Sequence, residues 1–471
     1  MIHTKDRPML NRTGEKLRLV TQNQTKVFIK TFGCQMNKLD SELSIGSLVK
    51  RGYTFVEDEN DADIILLNTC SVRDKAEHKV YSQLGSLRDQ KGKNPKLILG
   101  VLGCMAQNEG DRIFKRMPHV NLVCGTRMFS KLPELLEDIN GTNKRILAID
   151  EDGEVNFDRL VSRRQNRYSA FVSIMRGCDN YCSYCIVPYV RGREFSRPVA
   201  DIIDEVKSLA DDGCKEVTLL GQNVNSYGKG LNGNVTLATM LRKLDPIEGI
   251  ERIRFVTSHP RDMTKEIIET VGELPKVCEY LHMPAQSGSD KILKKMRRQY
   301  TSAHYRELVE MAKFLVPNIK IASDFIVGFP GEKGEDFEDT VRLLNDVRCQ
   351  NSFIFKYSPR TGTAATEFPD DVQEETKKRR NHELLDLQKK ISIEENRKMV
   401  GKSVEVLVEG TSKSDAGRLS GRTRQNQIVA FDLPEGSNQA DVSSSLPGKL
   451  AKIDIVDSTD LTLFGVINCP Q

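Results

Sequence analysis

A chain of 471 residues with 70 Lys and Arg against 66 Asp and Glu, a net charge of +4 and 11 cysteines is too long for a single core and points to about three domains of roughly 150 residues each. The near-balanced charge excludes recruitment of a polyanion by bulk electrostatics, so any basic surface is local. No run is long enough to span a bilayer and the opening MIHTKDRPMLNRTGEKLRLV lacks the apolar core of a signal peptide; a cytoplasmic protein is expected, in which clustered cysteines mean metal ligation or redox chemistry, not a disulfide framework.

The first strands share one grammar. KVFIKTFGC ends at Cys34, ADIILLNTC at Cys70 and KLILGVLGC at Cys104. Helix-compatible stretches such as LDSELSIGSLVKRG and DKAEHKVYSQLGSLRDQ separate them, so a parallel α/β sheet of flavodoxin-like type is expected over 24–148. Ligands gather beyond the carboxyl ends of such strands, which would bring the three thiols together. Cys124, in VNLVCG, completes no such spacing and reads as structural.

From Tyr168 the alternation restarts. AFVSIMRGC, EVTLLGQN, RIRFVTSH, VCEYLHMPAQSGS, KIASDFIVGFPGE and SFIFKYSPRTGT read as six strands, a partial (βα)6 barrel over 164–398 whose polar strand ends build the site. The stretch DVQEETKKRRNHELLDLQKKISIEENRK, from Asp371 to Lys398, reads as a charged linker helix, lightly packed through Leu384, Leu387 and Ile391. Over 400–469, KSVEVLVEG, GRLSGRTRQNQIVAF, KLAKIDIVDS and DLTLFGVI alternate as a small antiparallel β-barrel does.

The stretch MRGCDNYCSYC sets Cys178, Cys182 and Cys185 at the end of the first barrel strand. A structural zinc site closes with four ligands, and here His259 or His282 would have to supply the fourth. A cubane iron–sulfur cluster, in contrast, can be held by three thiolates with one iron left open for a non-protein ligand.

Cys-x3-Cys-x2-Cys with an aromatic before the last cysteine resembles the radical S-adenosylmethionine signature. Across nearly the whole chain, TFGCQMNKLDSE, NTCSVRDKAE, GCMAQ, MRGCDNYCSYCIVPYVRGREFSRP, GQNVNSYG, PAQSGS and YSPRTGT are similar to the methylthiotransferases. GCQMN and NTCSVR resemble the MiaB branch, which modifies N6-dimethylallyladenosine in tRNA. The resemblance implies two 4Fe-4S clusters, one on Cys178, Cys182 and Cys185 that cleaves S-adenosylmethionine to a carbon radical, and one on Cys34, Cys70 and Cys104 that carries sulfur. It implies methylthiolation of adenine C2 at position 37, beside the anticodon, at the expense of two S-adenosylmethionine molecules. It also implies a TRAM module as the last barrel, a flavodoxin- or ferredoxin-type reductant, an iron–sulfur or sulfur donor, and a monomer away from membranes.

For cofactor contacts the resemblance points to Tyr184, Gln222, Asn223, Ser323 and Gly328; Tyr184 also reads as an aromatic covering the cluster. Two basic runs are candidate phosphate contacts for tRNA: Lys291, Lys294, Lys295, Arg297 and Arg298 in KILKKMRRQY, and Arg418, Arg422 and Arg424 in GRLSGRTRQN. Two rival functions remain: the same chemistry on an aspartate of a ribosomal protein, and a non-enzymatic iron–sulfur or zinc protein that binds RNA.

Overall fold

The computed structural model describes residues 25–71, 74–142, 144–149, 164, 166–433 and 445–468; the outermost expected bounds, 24 and 469, lie outside them. Strands β1 (Lys26–Phe32), β2 (Thr54–Phe55), β3 (Ile64–Thr69), β4 (Ile98–Gly103), β5 (Leu122–Cys124) and β6 (Ile146–Ala148) form one parallel sheet in the order β2-β1-β3-β4-β5-β6. This is the flavodoxin order with one strand added. β3 and β4 are buried along their whole lengths, as strands covered on both faces must be. Ile65, Leu67, Leu99 and Val101 pack into the core on one side, and Ile64, Leu66, Ile98 and Leu102 into the core on the other.

The second unit begins with β7 (Ser169–Ser173) and a short antiparallel pair, β8 (Met175–Arg176) and β9 (Phe195–Ser196). It continues with β10 (Glu216–Leu220), β11 (Arg252–Phe255), β12 (Tyr280–His282), β13 (Lys320–Val327) and β14 (Asn351–Lys356). Apart from that pair, all six expected strands are present, in two parallel ladders, β7-β10-β11 and β12-β13-β14. A bridge from Ile253 to Val277 joins the ladders.

Strand alternation sorts the side chains into two faces. Val217, Leu219, Ile253, Phe255, Leu281, Ile321, Phe325 and Ile354 enter the core under the surrounding helices. The opposite parity lines the concave face. The helix Glu374–Arg397 is a correction to the lightly packed linker. It buries Lys377, Arg380, Gln388, Ser392 and Asn396 as well as Leu384 and Ile391. Arg380 pairs with buried Glu332 at 2.7 Å, and Gln388 donates to Cys349 O at 3.0 Å.

The last unit is a closed barrel of β15 (Ser403–Thr411), β16 (Leu419–Thr423), β17 (Ile428–Asp432), β18 (Leu450–Ser458) and β19 (Thr462–Ile467) around Val406, Val408, Phe431 and Ile453. Its seams are antiparallel except β17 with β19, which is parallel. Buried arginines of β11 fasten it to the concave face. Arg252 donates to Arg422 O at 2.7 Å and pairs with Glu405 at 2.8 Å, and Arg254 donates to Thr423 O at 2.6 Å. Among the described residues no helix is long and apolar enough to cross a membrane.

Candidate active site

The register of the first sheet places Phe32 beside Thr69 and Thr69 beside Gly103. Cys34, Cys70 and Cys104 therefore leave three adjacent strands at one level. β1 and β3 flank the point where the strand order reverses, the crevice in which sheets of this kind hold their ligands. Gly33 has φ +135°, and a Cβ there would meet Cys70 Cβ at 2.5 Å, so only glycine lets these two strand ends close together. Asn37 and Asn68, both fully buried, stitch the loops: Asn68 Nδ2 donates to Asn37 O at 2.9 Å, and Asn37 Oδ1 lies 3.2 Å from Cys34 Sγ.

The hydrogen bond with Cys70 lowers the Cys34 thiol to about 6 against the opposing effect of burial, and the Arg191 charge and the N–H groups of Asn37 and Met36 add to it. Burial pushes Cys104 up, with Arg191 opposing. The hydroxyls of Thr69 and Ser71, on either side of Cys70, are fully buried and have no hydrogen-bond partner among the described residues. Among the described residues no three thiol, imidazole or carboxylate side chains are already arranged around a metal ion, yet three thiols at adjacent strand ends with donors left over beside them are a donor set that suits a sulfide-rich cluster.

The second triad lies on the loop framed by β8 and β9. Gln222 Oε1 accepts Gly177 N–H at 2.6 Å and Gly192 O accepts Cys178 N–H at 3.2 Å, which pins the loop's start. Met296 O accepts Ser183 N–H at 3.1 Å and Lys295 O accepts the Ser183 hydroxyl at 2.8 Å, which pins its end. Arg298 points a guanidinium N–H at Cys182 Sγ at 3.5 Å. Burial raises Cys178 to about 11 and, with the Cys182 charge, Cys185 to about 12. As metal ligands these thiols must lose their protons, so a metal bound here displaces protons as it enters. The donor set fits a three-thiolate cluster.

The two triads share one junction. Cys104 packs with Ile186 and Val190, just beyond Cys185, and Cys34 joins Phe171 and Val256 of the concave face against one cluster of Met36, Leu39, Leu43 and Leu220. Arg191 pairs with fully buried Asp40 at 2.7 Å, Arg176 lies 3.7 Å from the same carboxylate, and Thr126 donates to Val190 O at 2.6 Å.

Other expected residues fall differently. Tyr184 is half-buried against Met296, Phe329 and Tyr357. Gln222 steadies the cysteine loop. Asn223 donates to Asp262 at 2.7 Å; Arg261 pairs with Asp262 at 2.8 Å and reaches Asn180 at 2.6 Å, between the cysteines. Ser323 does not face the site. It is fully buried on the helix-facing side, where its hydroxyl accepts Ala285 N–H at 3.0 Å and lies 3.2 Å from both Met283 O and the Tyr305 hydroxyl. Gly328, at φ +72°, is covered by Lys377, which a Cβ would meet at 2.3 Å.

Of the basic runs, Lys294, Lys295 and Arg297 are exposed, as is Lys291, which pairs with Asp336 at 2.7 Å. Arg298 is a correction: it is buried beneath Cys182 with Pro284 O as a second acceptor at 3.0 Å. Arg424 is another, since it binds Glu279 at 2.7 Å and Val277 O at 2.8 Å and so ties the barrels together. Arg422 lies 3.3 Å from Glu409, and Arg418 lies 2.9 Å from Asp432. Cys124 is fully buried in the sheet core. His282 engages both ring nitrogens, with Thr257 N–H at 3.2 Å and Asp324 at 3.4 Å, while His259 Nδ1 accepts Arg261 N–H at 3.2 Å. Sequence reasoning missed Asp40, Arg191 and Arg261. Arg191 lies inside a quoted motif, but nothing local marks it as buried.

Three family descriptions match the chain: Uncharacterized protein family UPF0004 over 26–125, Radical SAM superfamily over 172–344 and TRAM domain over 397–467. Proteins named tRNA-2-methylthio-N(6)-dimethylallyladenosine synthase from Clostridium botulinum and Thermoanaerobacter pseudethanolicus are each 46% identical to it over 93% of this chain, and 96% and 91% of their own lengths are covered. The radical S-adenosylmethionine methyltransferase TsrM from Kitasatospora setae, solved with cobalamin and a 4Fe-4S cluster bound, shares the fold at TM-score 0.53 and 13% identity, covering 84% of this chain and 77% of that one.

Proposed function

This chain belongs to the tRNA-2-methylthio-N(6)-dimethylallyladenosine synthase family, and we propose from that membership that it places a methylthio group on C2 of N6-dimethylallyladenosine at position 37 of tRNA. As a member it is a radical S-adenosylmethionine enzyme that acts on tRNA. One 4Fe-4S cluster sits on Cys178, Cys182 and Cys185, and a second, sulfur-carrying one on Cys34, Cys70 and Cys104. The observation that carries this reading is the second set of three thiols, brought level at the switch point of the first sheet, which the Asp40–Arg191 pair joins to the barrel.

Adenine C2 carries an unactivated hydrogen, out of reach of acid–base catalysis near neutrality. The bound clusters and S-adenosylmethionine supply a carbon radical that removes it and a sulfur that replaces it. The chain's own residues do the positioning. Arg298 places positive charge on Cys182, Gln222 and the Asn223–Asp262–Arg261–Asn180 chain fix the cysteine loop, and Arg191 places positive charge beside Cys34 and Cys104. Tyr184 and Gln222 border the cofactor, and Lys291, Lys294, Lys295, Arg297, Arg418 and Arg422 supply phosphate contacts. A flavodoxin- or ferredoxin-type reductant and a sulfur donor serve a monomer in the cytoplasm.

The relatives' name favours tRNA over a ribosomal aspartate, and the radical S-adenosylmethionine match favours an enzyme over a binding module. The test is a mass-spectrometric census of tRNA nucleosides from cells lacking the protein. The 2-methylthio form is expected to vanish and N6-dimethylallyladenosine to accumulate; an unchanged census overturns the reading.

A further inference from the structure

A guanidinium taken out of water needs an opposing charge, because a buried ion without one is costly. Among the described residues, the deeply buried Arg191, Arg197, Arg252, Arg254 and Arg380 each pair with a carboxylate. Arg298, 5% exposed, does not. Its Nε donates to the Tyr300 hydroxyl at 3.0 Å, Nη2 to Pro284 O at 3.0 Å and Nη1 to Cys182 Sγ at 3.5 Å. Against the cost of burial, the ionisable groups that favour its charge are the Tyr184 and Tyr300 phenols and the Cys182 thiol. Burial pushes both phenols up, so near neutral pH they stay uncharged. Cys182, which loses its proton when it binds metal, is left as the group that carries the opposing charge.

The backbone is bent to present this arginine. The helix Asp290–Lys295 ends in a tight turn in which Leu293 O accepts Arg298 N–H at 3.0 Å. Arg297 and Gln299, on either side of it, have φ +58° and +57°, the left-handed region that a helix end ordinarily gives to glycine and that other residues enter at a cost. The same turn is tied to the cysteine loop, since Met296 O and Lys295 O accept the two Ser183 hydrogen bonds. The Tyr300 hydroxyl that accepts from Arg298 donates its own proton to Ala285 O at 2.7 Å. Guanidinium and thiol are therefore carried on one braced unit, with strain kept where it turns the charge inward.

Resting on the function proposed above, we infer that Arg298, acting through Cys182, raises the reduction potential of the cluster on Cys178, Cys182 and Cys185 and so eases its reduction. The step is a transfer of a single electron. A low-potential donor of flavodoxin or ferredoxin type is oxidised, the cluster is reduced, and no bond is made or broken. The electron adds one negative charge, and a fixed cation hydrogen-bonded to a ligating sulfur stabilises the reduced form more than the oxidised one. Burial keeps water from screening the interaction. A carboxylate beside Arg298 would cancel this field, which gives its absence here a function.

The test is a redox titration of the fully reconstituted chain followed by electron paramagnetic resonance, with iron analysis of each protein. The signal missing when Cys178, Cys182 and Cys185 are replaced by alanine identifies the cluster concerned. Arg298→Gln, which keeps a donor and removes the charge, is expected to shift its reduction equilibrium about tenfold or more towards the oxidised form, about 59 mV in a one-electron couple. Arg298→Lys, which keeps the charge, should retain most of the original midpoint. The midpoint of the other cluster should stay where it is in both variants. An unmoved midpoint in Arg298→Gln, an equal fall in Arg298→Lys, an equal fall in both clusters, or loss of this cluster's iron from Arg298→Gln overturns the proposal while the methylthiotransferase reading stands. If the unsubstituted protein holds no cluster on these cysteines, that reading falls instead.

Discussion

The Asp40–Arg191 pair joins the first sheet to the barrel, and its removal has a calculable effect. The side chains are 0% and 5% exposed and 2.7 Å apart. Removing one partner of such a pair leaves a buried charge uncompensated, which costs about 3–5 kcal/mol. Arg191→Met leaves Asp40 with Arg176 at 3.7 Å and falls at the low end. Asp40→Asn leaves two arginines facing each other and falls at the high end. In the double variant only Arg176, 12% exposed, is left facing an amide in place of the carboxylate, so it should cost less than the sum of the singles. With no tryptophan in the chain, urea unfolding of the metal-free protein is followed by circular dichroism. Because Arg191 helps lower the Cys34 thiol to about 6, Arg191→Met should also move the midpoint of Cys34 alkylation to higher pH. Additive single-variant effects together with an unmoved Cys34 midpoint would refute the electrostatic account of this junction.

In the metal-free protein at pH 7, Cys34 should be alkylated well before Cys178 and Cys185, since its thiol is lowered to about 6 and theirs are raised to about 11 and about 12; peptide mapping should show that lead fading as pH falls below about 6. Replacing Cys178, Cys182 and Cys185 with alanine should abolish 5′-deoxyadenosine formation and lower iron from about two clusters to about one, as separate three-thiolate sites require; loss of all iron contradicts two sites. The converse variant at Cys34, Cys70 and Cys104 should still form 5′-deoxyadenosine without methylthiolated RNA, and product formed without an added sulfur source would remove the carrier role. Arg424→Gln should expose the junction of the two barrels to limited proteolysis, because Glu279 and Val277 O lose their partner; a digestion pattern like the unsubstituted protein's speaks against the tie.

The cysteine placements were legible because each rides on a strong local signal, an apolar strand ending in a thiol, and a parallel sheet lines up its strand ends. What the sequence concealed was burial determined from far away. KILKKMRRQY looks like one solvated face, yet Arg298 turns inward to Cys182, 116 residues off, and Arg424 turns to Glu279, 145 residues off. The helix Glu374–Arg397 misled in the same way, because its buried Arg380 is matched by Glu332. Ser323 shows a different failure. The strand was placed correctly, but a side chain one position from Asp324 lies on the opposite face, and its register partner Ser352 shares that face.

A closed eight-stranded barrel fills its interior with its own side chains; six strands leave a concave face that the neighbouring units must cover, and how they cover it assigns their roles. The last barrel grips Arg252 and Glu279 at the amino ends of β11 and β12, whereas the thiols gather beyond the carboxyl ends. β11 alone spans about 13 Å at roughly 3.3 Å per residue, so a phosphate held by the last barrel lies a strand's length or more from the reacting base. Its contacts therefore set affinity without reading the nucleoside. Arg418→Gln, at the end of β16 away from the Arg424 tie, should weaken binding of prenylated and plain tRNA alike and lower the salt dependence by roughly one unit of slope. If Arg418→Gln altered the preference for the prenyl group, grip and selectivity would not be divided between the two ends of these strands.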